Sequence, residues 1–191
     1  MNVAVKRRGP GSRADALHPT RHALLDAAIR IAGRQGLDGL TIEEVTREAE
    51  LAKGTFYVHF TDRNAMLVDL HRRFHDELYR TIAASAAAQE PGPDRARARI
   101  LGFLDGCRRQ AGVRAMLLQA RSEPAIARAV QERNDGSARI LAQDLRGSTP
   151  VPLQTARLLV AAAAEAAMQE LAAGRALPRL RKALTSLIPS R

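Results

Sequence analysis

The sequence predicts an all-α protein, on three grounds. β-Branched residues never alternate with polar ones for long, apolar residues recur at helical spacing from end to end, and Gly, Pro and Asp clusters punctuate the segments. The first helix is expected from about Thr20 to Gln35, with Leu24, Leu25, Ala28, Ile31 and Ala32 on one face and Gly36 placed to end it in a left-handed conformation. Asp38-Gly39 is a turn signal. Thr41-Ile42-Glu43-Glu44 reads as a capping box, in which the Thr41 hydroxyl and the Glu44 carboxylate satisfy free amides of a short second helix burying Ile42, Val45 and Ala49. Residues 53 to 60 make a third, shorter helix. Thr61-Asp62 caps a fourth, with Met66, Leu67, Leu70, Phe74 and Leu78 along one stripe. Gln89-Glu90-Pro91-Gly92-Pro93-Asp94 then breaks the pattern. Further helices are expected near residues 94 to 110, 112 to 121, 124 to 146, 152 to 173 and 177 to 188, with Asn134-Asp135-Gly136 as a bend or interruption.

Composition narrows the class. A chain of 191 residues that is 46% hydrophobic has ample material for a buried core. No apolar run approaches the ~20 residues that cross a bilayer, and the N-terminus has no signal-peptide core. The lone Cys107 sits at helical spacing from Ile100, Phe103 and Leu104 and reads as a core residue. These features point to a soluble cytoplasmic protein without a membrane partner. The formal charge of +10 invites a nucleic-acid reading, yet residues 1 to 63 carry ten basic and eight acidic side chains, against twenty and twelve in residues 64 to 191. Only the first thirteen residues, with Lys6, Arg7, Arg8, Arg13 and no acid, look like a dedicated basic arm. Charge alone therefore supports DNA binding weakly.

The third helix is more specific. Lys53-Gly54-Thr55-Phe56-Tyr57-Val58-His59-Phe60 holds three of the six aromatic residues of the chain. At ~100° per residue Phe56 and Phe60 lie one turn apart and point the same way, toward helices one and two. The opposite side presents Gly54, Thr55 and Val58, flanked by Lys53 and Tyr57 on one edge and His59 on the other. Two short helices joined by a tight turn, with a third behind them, form a helix-turn-helix whose second member fits the major groove.

On these residues the sequence resembles the TetR family of transcriptional regulators. The resemblance is carried by Thr41-Ile42-Glu43-Glu44-Val45, by Lys53 to Phe60 and by Arg63 with Met66-Leu67, and it covers residues 20 to 67. It implies three parts: a flexible basic arm at 1–19, a helix-turn-helix DNA-binding domain at 20–67, and a helical ligand-binding and dimerisation domain at 68–191, linked by helix four. It places Lys53, Gly54 and Tyr57 in the groove and Thr41, Thr55, His59 and Arg63 on phosphate. Val58 is suited to a thymine methyl and Gly54 to close backbone approach. The partners implied are double-stranded DNA with an inverted-repeat operator, a second copy of the chain clasped through the last two helices, and a small-molecule ligand. The function implied is a repressor released from its operator by that ligand; the alternative is a ligand-independent architectural or activating DNA-binding protein. The turn departs from the family pattern of alanine, glycine, valine, serine: here it is Ala49-Glu50-Leu51-Ala52. Glutamate is penalised if the turn needs positive φ, and alanine at 52 lacks an N-cap side chain.

Other features read more plainly. His71 and His75 are four apart, but Arg72 stands where a zinc-hydrolase motif needs glutamate, so no metal is assigned and the pair reads as solvated or as part of a ligand pocket. No catalytic grouping appears, and the chain reads as a non-enzyme without a cofactor. Phe74, Phe103, Met116, Leu117 and Met168 are candidates to line an apolar ligand cavity, with core packing the alternative for each. The alanine run 161 to 164 and Leu180, Leu184 and Leu187 suit a dimer seam. Glu165 sits either toward a ligand or at a helix rim.

Overall fold

A computed structural model of the chain describes residues 18–190, and every regular element among them is helical. The basic arm lies outside the described residues except for its last two positions. Those two start the first helix, α1 (Pro19–Gln35): His18 is its N-cap, with Nδ1 accepting from the Thr20 amide at 3.2 Å, and Pro19 opens the first turn. Gly36 ends α1 with φ +66° and its amide returns to the Ala32 carbonyl.

Next comes α2 (Ile42–Glu48), where half of the expected capping box forms. The Thr41 hydroxyl accepts from the Glu44 amide at 3.1 Å, but the Glu44 carboxylate pairs with Arg47 and the Thr41 amide donates to Gly39. α3 (Lys53–His59) and α4 (Arg63–Ala86) follow. Asp62 caps α4 by accepting from the Ala65 amide at 2.8 Å, and the whole predicted stripe from Met66 to Leu78 is buried.

Pro91 and Gly92 then turn the chain into α5 (Pro93–Arg109), followed by α6 (Ala111–Gln119), a single 3₁₀ turn at Ala120–Ser122, α7 (Pro124–Asp144), α8 (Pro152–Ala173) and α9 (Pro178–Ser186). α5 packs on α4, α8 on α7 and α5, and α9 closes over α8. Asn134-Asp135-Gly136 does not interrupt α7, contrary to the local signal. The ~1 kcal/mol cost of a helical glycine is outweighed by packing: neighbouring Ser137 meets the Tyr79 hydroxyl of α4 at 2.8 Å, and Arg133 pairs with Asp76 at 2.6 Å.

Two buried carboxylates tie the C-terminal helices together. Asp144, with a fully buried side chain, receives Arg95 at 2.6 Å and Arg99 at 2.7 Å from α5. Glu170 of α8 receives two nitrogens of Arg181 at 2.6 and 2.7 Å and the Leu177 amide at 2.9 Å, which holds its carboxyl below the usual carboxylate range. Arg181 also reaches Asp105 of α5 at 2.6 Å. Cys107 is buried, and desolvation pushes its thiol up to about 11, as suits an inert core residue.

Candidate nucleic-acid interface and adjoining cavity

A seven-residue helix is too short to persist alone, so α3 depends on what it is packed against. Phe56 is fully buried and Phe60 2% exposed, their rings 5.3 Å apart, and both join the core that α1 supplies with Leu24, Ala28 and Ile31. Arg21 of α1 completes the anchor: its guanidinium lies 4.6 Å from the Phe60 ring centre, donates to the His59 carbonyl at 3.0 Å and pairs with Asp69 of α4. Glu48 of α2 holds Arg30 at 2.7 Å and Arg34 at 2.6 Å of α1. Those two donors depress its carboxyl below the ordinary range. With its inner face fixed, α3 presents Lys53, Gly54, Tyr57 and Val58 outward, Tyr57 and Val58 being 48% and 59% exposed. The space over Gly54 is open, so its backbone is approachable.

The turn into α3 is a Schellman motif: the Glu50 amide donates to Arg47 and the Leu51 amide to Thr46, at 3.1 and 2.9 Å. That motif puts Glu50 at φ +56°, the one positive φ at a non-glycine position among the described residues. Ala52 has the extended backbone of an N-cap residue and offers no side-chain hydrogen bond. Both departures noted in the sequence therefore fall where the backbone wants glycine and serine. Glu50→Gly with Ala52→Ser is expected to stabilise the protein by about 1–2 kcal/mol, as the sum of a relieved left-handed residue and a restored cap. Urea unfolding checks it; an unchanged midpoint would refute the strain reading.

Two of the expected contact residues are placed differently from the sequence expectation, and a third has a partner the sequence did not show. His59 is not on the outer edge of α3: it is 4% exposed, with its ring 5.0 Å from that of His18. Arg63 does not point to solvent as a free cation. Its Nε donates to the Leu40 carbonyl at 2.7 Å and a terminal nitrogen to Leu37 at 2.9 Å, bracing the loop between α1 and α2. Lys53 is exposed as expected but forms an ion pair with Glu43 of α2, which holds Glu43 below its ordinary range and raises Lys53. Thr41 is exposed at the start of α2, its oxygen already accepting within the cap and its hydroxyl hydrogen left to donate. Thr55 is half-buried beside Phe56.

A cavity of about 130 Å3 lies among α4 to α8. Of the five lining candidates, Phe74, Phe103 and Leu117 reach it. Met116 does not; it is fully buried in the core. Met168 does not reach it and is 37% exposed, one turn beyond Ala164; α8 turns its Val160, Ala163 and Ala164 to the cavity instead. Glu165 is exposed and accepts from Gln169 at 2.9 Å, a rim position.

Of the polar part of the wall, the sequence marked only the spacing of His71 and His75; nothing local marks Arg114. The rings of His71 and His75 lie 4.4 Å apart, tilted by 51°; burial, helped by the nearby arginines, pushes them down to about 4 and about 2, so both are neutral near pH 7. Arg114, 8% exposed, faces the Phe103 ring at 5.6 Å.

α6 connects this cavity to the helix-turn-helix. It contributes Arg114, Leu117 and Leu118 to the wall, while its first turn crosses α1 so closely that a side-chain carbon on Gly112 would stand 3.1 Å from the Gly33 Cα. At its last residue the Gln119 side-chain Oε1 accepts from the Leu37 amide at 3.1 Å.

A family model described as "Bacterial regulatory proteins, tetR family" matches residues 24–70. Among curated proteins, the HTH-type transcriptional repressor DhaR of Mycobacterium sp. (strain GP1) is 30% identical over 67 residues, covering 35% of this chain and 34% of that protein. The matches span between 20% and 34% of the curated relatives' own lengths. Whole-chain likeness comes from solved structures. The multidrug binding protein EbrR complexed with malachite green superposes with a TM-score of 0.74 at 27% identity, covering 91% of this chain and 100% of that one. A TetR-family member from Streptomyces coelicolor A3 gives 0.73 at 27% identity with the same coverage.

Proposed function

Because this chain belongs to the TetR family of bacterial transcriptional regulators, we propose that it is a repressor that binds an inverted-repeat operator as a homodimer and leaves it when a small molecule occupies the C-terminal cavity. The observation that carries the reading is the outer face of α3, a short helix whose buried side is fully committed to Phe56 and Phe60 and whose free side offers Lys53, Gly54, Tyr57 and Val58. A helix braced in this way fits a major groove about 12 Å wide. Thr41 and Thr55 flank it as hydroxyl donors to phosphate. His59 and Arg63 act indirectly, holding α3 and the α1–α2 loop in place.

The second copy is supported by the outer faces of α8 and α9. Leu158 is 73% exposed and Leu187 61%, with Val151 and Met168 continuing the stripe past exposed Ala161. Leu184, expected at the seam, packs into the chain's own core instead. A two-fold arrangement of one reading helix per chain matches an inverted repeat. Ligand release is supported by α6, which belongs to the cavity wall at Arg114 and abuts α1 at Gly112 and the turn that follows α1 at Gln119, so one rigid element is biased from both sites. EbrR is an example within this fold of a protein complexed with a small molecule. The cavity disfavours the alternative of a filled, ligand-independent C-terminal domain.

Selection of bound DNA from a random pool tests the reading: enrichment of an inverted repeat is expected, and binding without sequence preference would overturn it. On the selected operator, Tyr57→Phe and Lys53→Ala are expected to weaken binding. Glu43→Gln, which frees Lys53 and removes an acid near the phosphates, is expected to tighten it roughly two- to fivefold at low salt, the gain shrinking as salt rises. Equal affinity of Glu43→Gln and the parent at every salt concentration would remove Lys53 from the contact surface.

A further inference from the structure

The cavity wall contains Arg99, Arg114, Arg121 and Arg133 but neither aspartate nor glutamate. Two of these arginines already have a carboxylate partner, Arg99 in Asp144 at 2.7 Å, which it shares with Arg95, and Arg133 in Asp76 at 2.6 Å. Arg114 and Arg121 have no carboxylate partner among the described residues, and Arg121 lies exposed at the wall's edge. Arg114 is the unusual one. It is 92% buried, and the one hydrogen bond of its side chain is a long contact of 3.4 Å to the Ala164 carbonyl. Its Nε is buried without any acceptor. The Nε2 of His71, a residue only 2% exposed on the same wall, is likewise unpartnered.

A buried guanidinium left without a counter-charge is costly to keep, and protein interiors rarely hold one. Beside it are Phe103, Phe74 and Leu117, an apolar surface suited to one ring. The volume, about 130 Å3, is close to the roughly 150 Å3 of a cavity known to take benzene. Desolvation and the surrounding arginines keep His71 and His75 neutral, so neither adds a cation that a ligand must match, and either neutral ring is able to donate one hydrogen bond.

We propose that the ligand is an anionic amphiphile with a body of about one aromatic ring, its carboxylate seated on Arg114 with His71 as second donor and its ring against Phe74, Phe103 and Leu117. The inference rests on the ligand-release reading for its biological meaning, but the anion site itself does not depend on DNA. A carboxylate completes the hydrogen bonding of the guanidinium in bidentate geometry, which a neutral or cationic head group cannot do. The same arginines repel a cationic amphiphile of equal shape.

The test is calorimetric titration of the full chain with three matched probes: 3-phenylpropionate, 3-phenylpropanamide and 3-phenylpropylammonium. The carboxylate is expected to bind at least roughly tenfold more tightly than either of the others. Arg114→Met is expected to lose that preference while unfolding at the same or a higher temperature, since an uncompensated buried charge is replaced by an apolar chain of similar length. The probe series on the unsubstituted protein decides the sign even if the variant folds poorly. Equal or tighter binding of the ammonium or the amide, or no binding of any probe, overturns the anion site. So does carboxylate affinity unchanged in Arg114→Met. Operator affinity measured with saturating 3-phenylpropionate separates the two readings: carboxylate binding without any change in operator affinity sinks ligand release and leaves the anion site standing. Release by the ammonium probe does the reverse.

Discussion

Asp144→Ala is expected to lower the unfolding free energy by about 3–5 kcal/mol, the range for breaking a buried ion pair from one side. The carboxylate is fully buried and serves Arg95 and Arg99, one helical turn apart on α5. Its removal leaves two neighbouring guanidiniums facing each other in a site only about one-fifth exposed, where water screens them poorly. Arg95→Ala is expected to cost less, because Asp144 keeps Arg99. At about 2–4 °C per kcal/mol for a chain of this size, Asp144→Ala falls by roughly 6–20 °C in thermal midpoint. Calorimetry of the pair gives the comparison; a loss below about 1 kcal/mol for Asp144→Ala, or a larger loss for Arg95→Ala, would rule out the shared-carboxylate account.

Phe56→Ala acts at the other end of the molecule, with an expected cost of about 3–5 kcal/mol for a large ring removed from a fully buried site. α3 has seven residues and an alanine where its N-cap side chain should be, so it draws almost all its stability from this ring and Phe60. Operator binding is expected to disappear while 3-phenylpropionate still binds, because the ring touches the helix-turn-helix core and not the cavity wall. Val58→Ala, on the exposed face of the same helix, is expected to stay within about 0.5 kcal/mol of the parent in stability. Urea unfolding and fluorescence anisotropy on the selected operator measure both effects. Operator binding by Phe56→Ala at parental affinity would mean that α3 is held by something other than its aromatic anchor.

The helices were legible because their signals are local. Thr41 and Asp62 cap where hydroxyl and carboxylate were expected to, Gly36 ends α1, and the stripe from Met66 to Leu78 is buried. The pairings that the sequence left open share one cause. Lys53 meets Glu43 ten residues away, Arg63 reaches carbonyls at 37 and 40, and Arg99 reaches Asp144 across two helices. Helical periodicity assigns a side chain to an inner or outer face, but not to the partner it finds there. Met168 shows the limit on α8: its alanine-rich sequence offers no clear apolar face, and only packing against α5 and α7 chose which side turns inward.

By itself, then, the sequence determined the all-helical architecture, the short helix anchored by Phe56 and Phe60, the resemblance of residues 20–67 to the TetR family, and the departure of the turn at Glu50 and Ala52 from that family's pattern. Each depends on residues within a few positions of one another, where backbone geometry and side-chain spacing leave little choice. The tertiary structure alone decided that Lys53 is shared with Glu43, that His59 and Arg63 brace rather than face outward, and that α6 touches both the cavity and α1. It also decided that Arg114 is buried without a counter-charge. Electrostatic pairing and desolvation depend on distance through space, and only the folded chain fixes those distances.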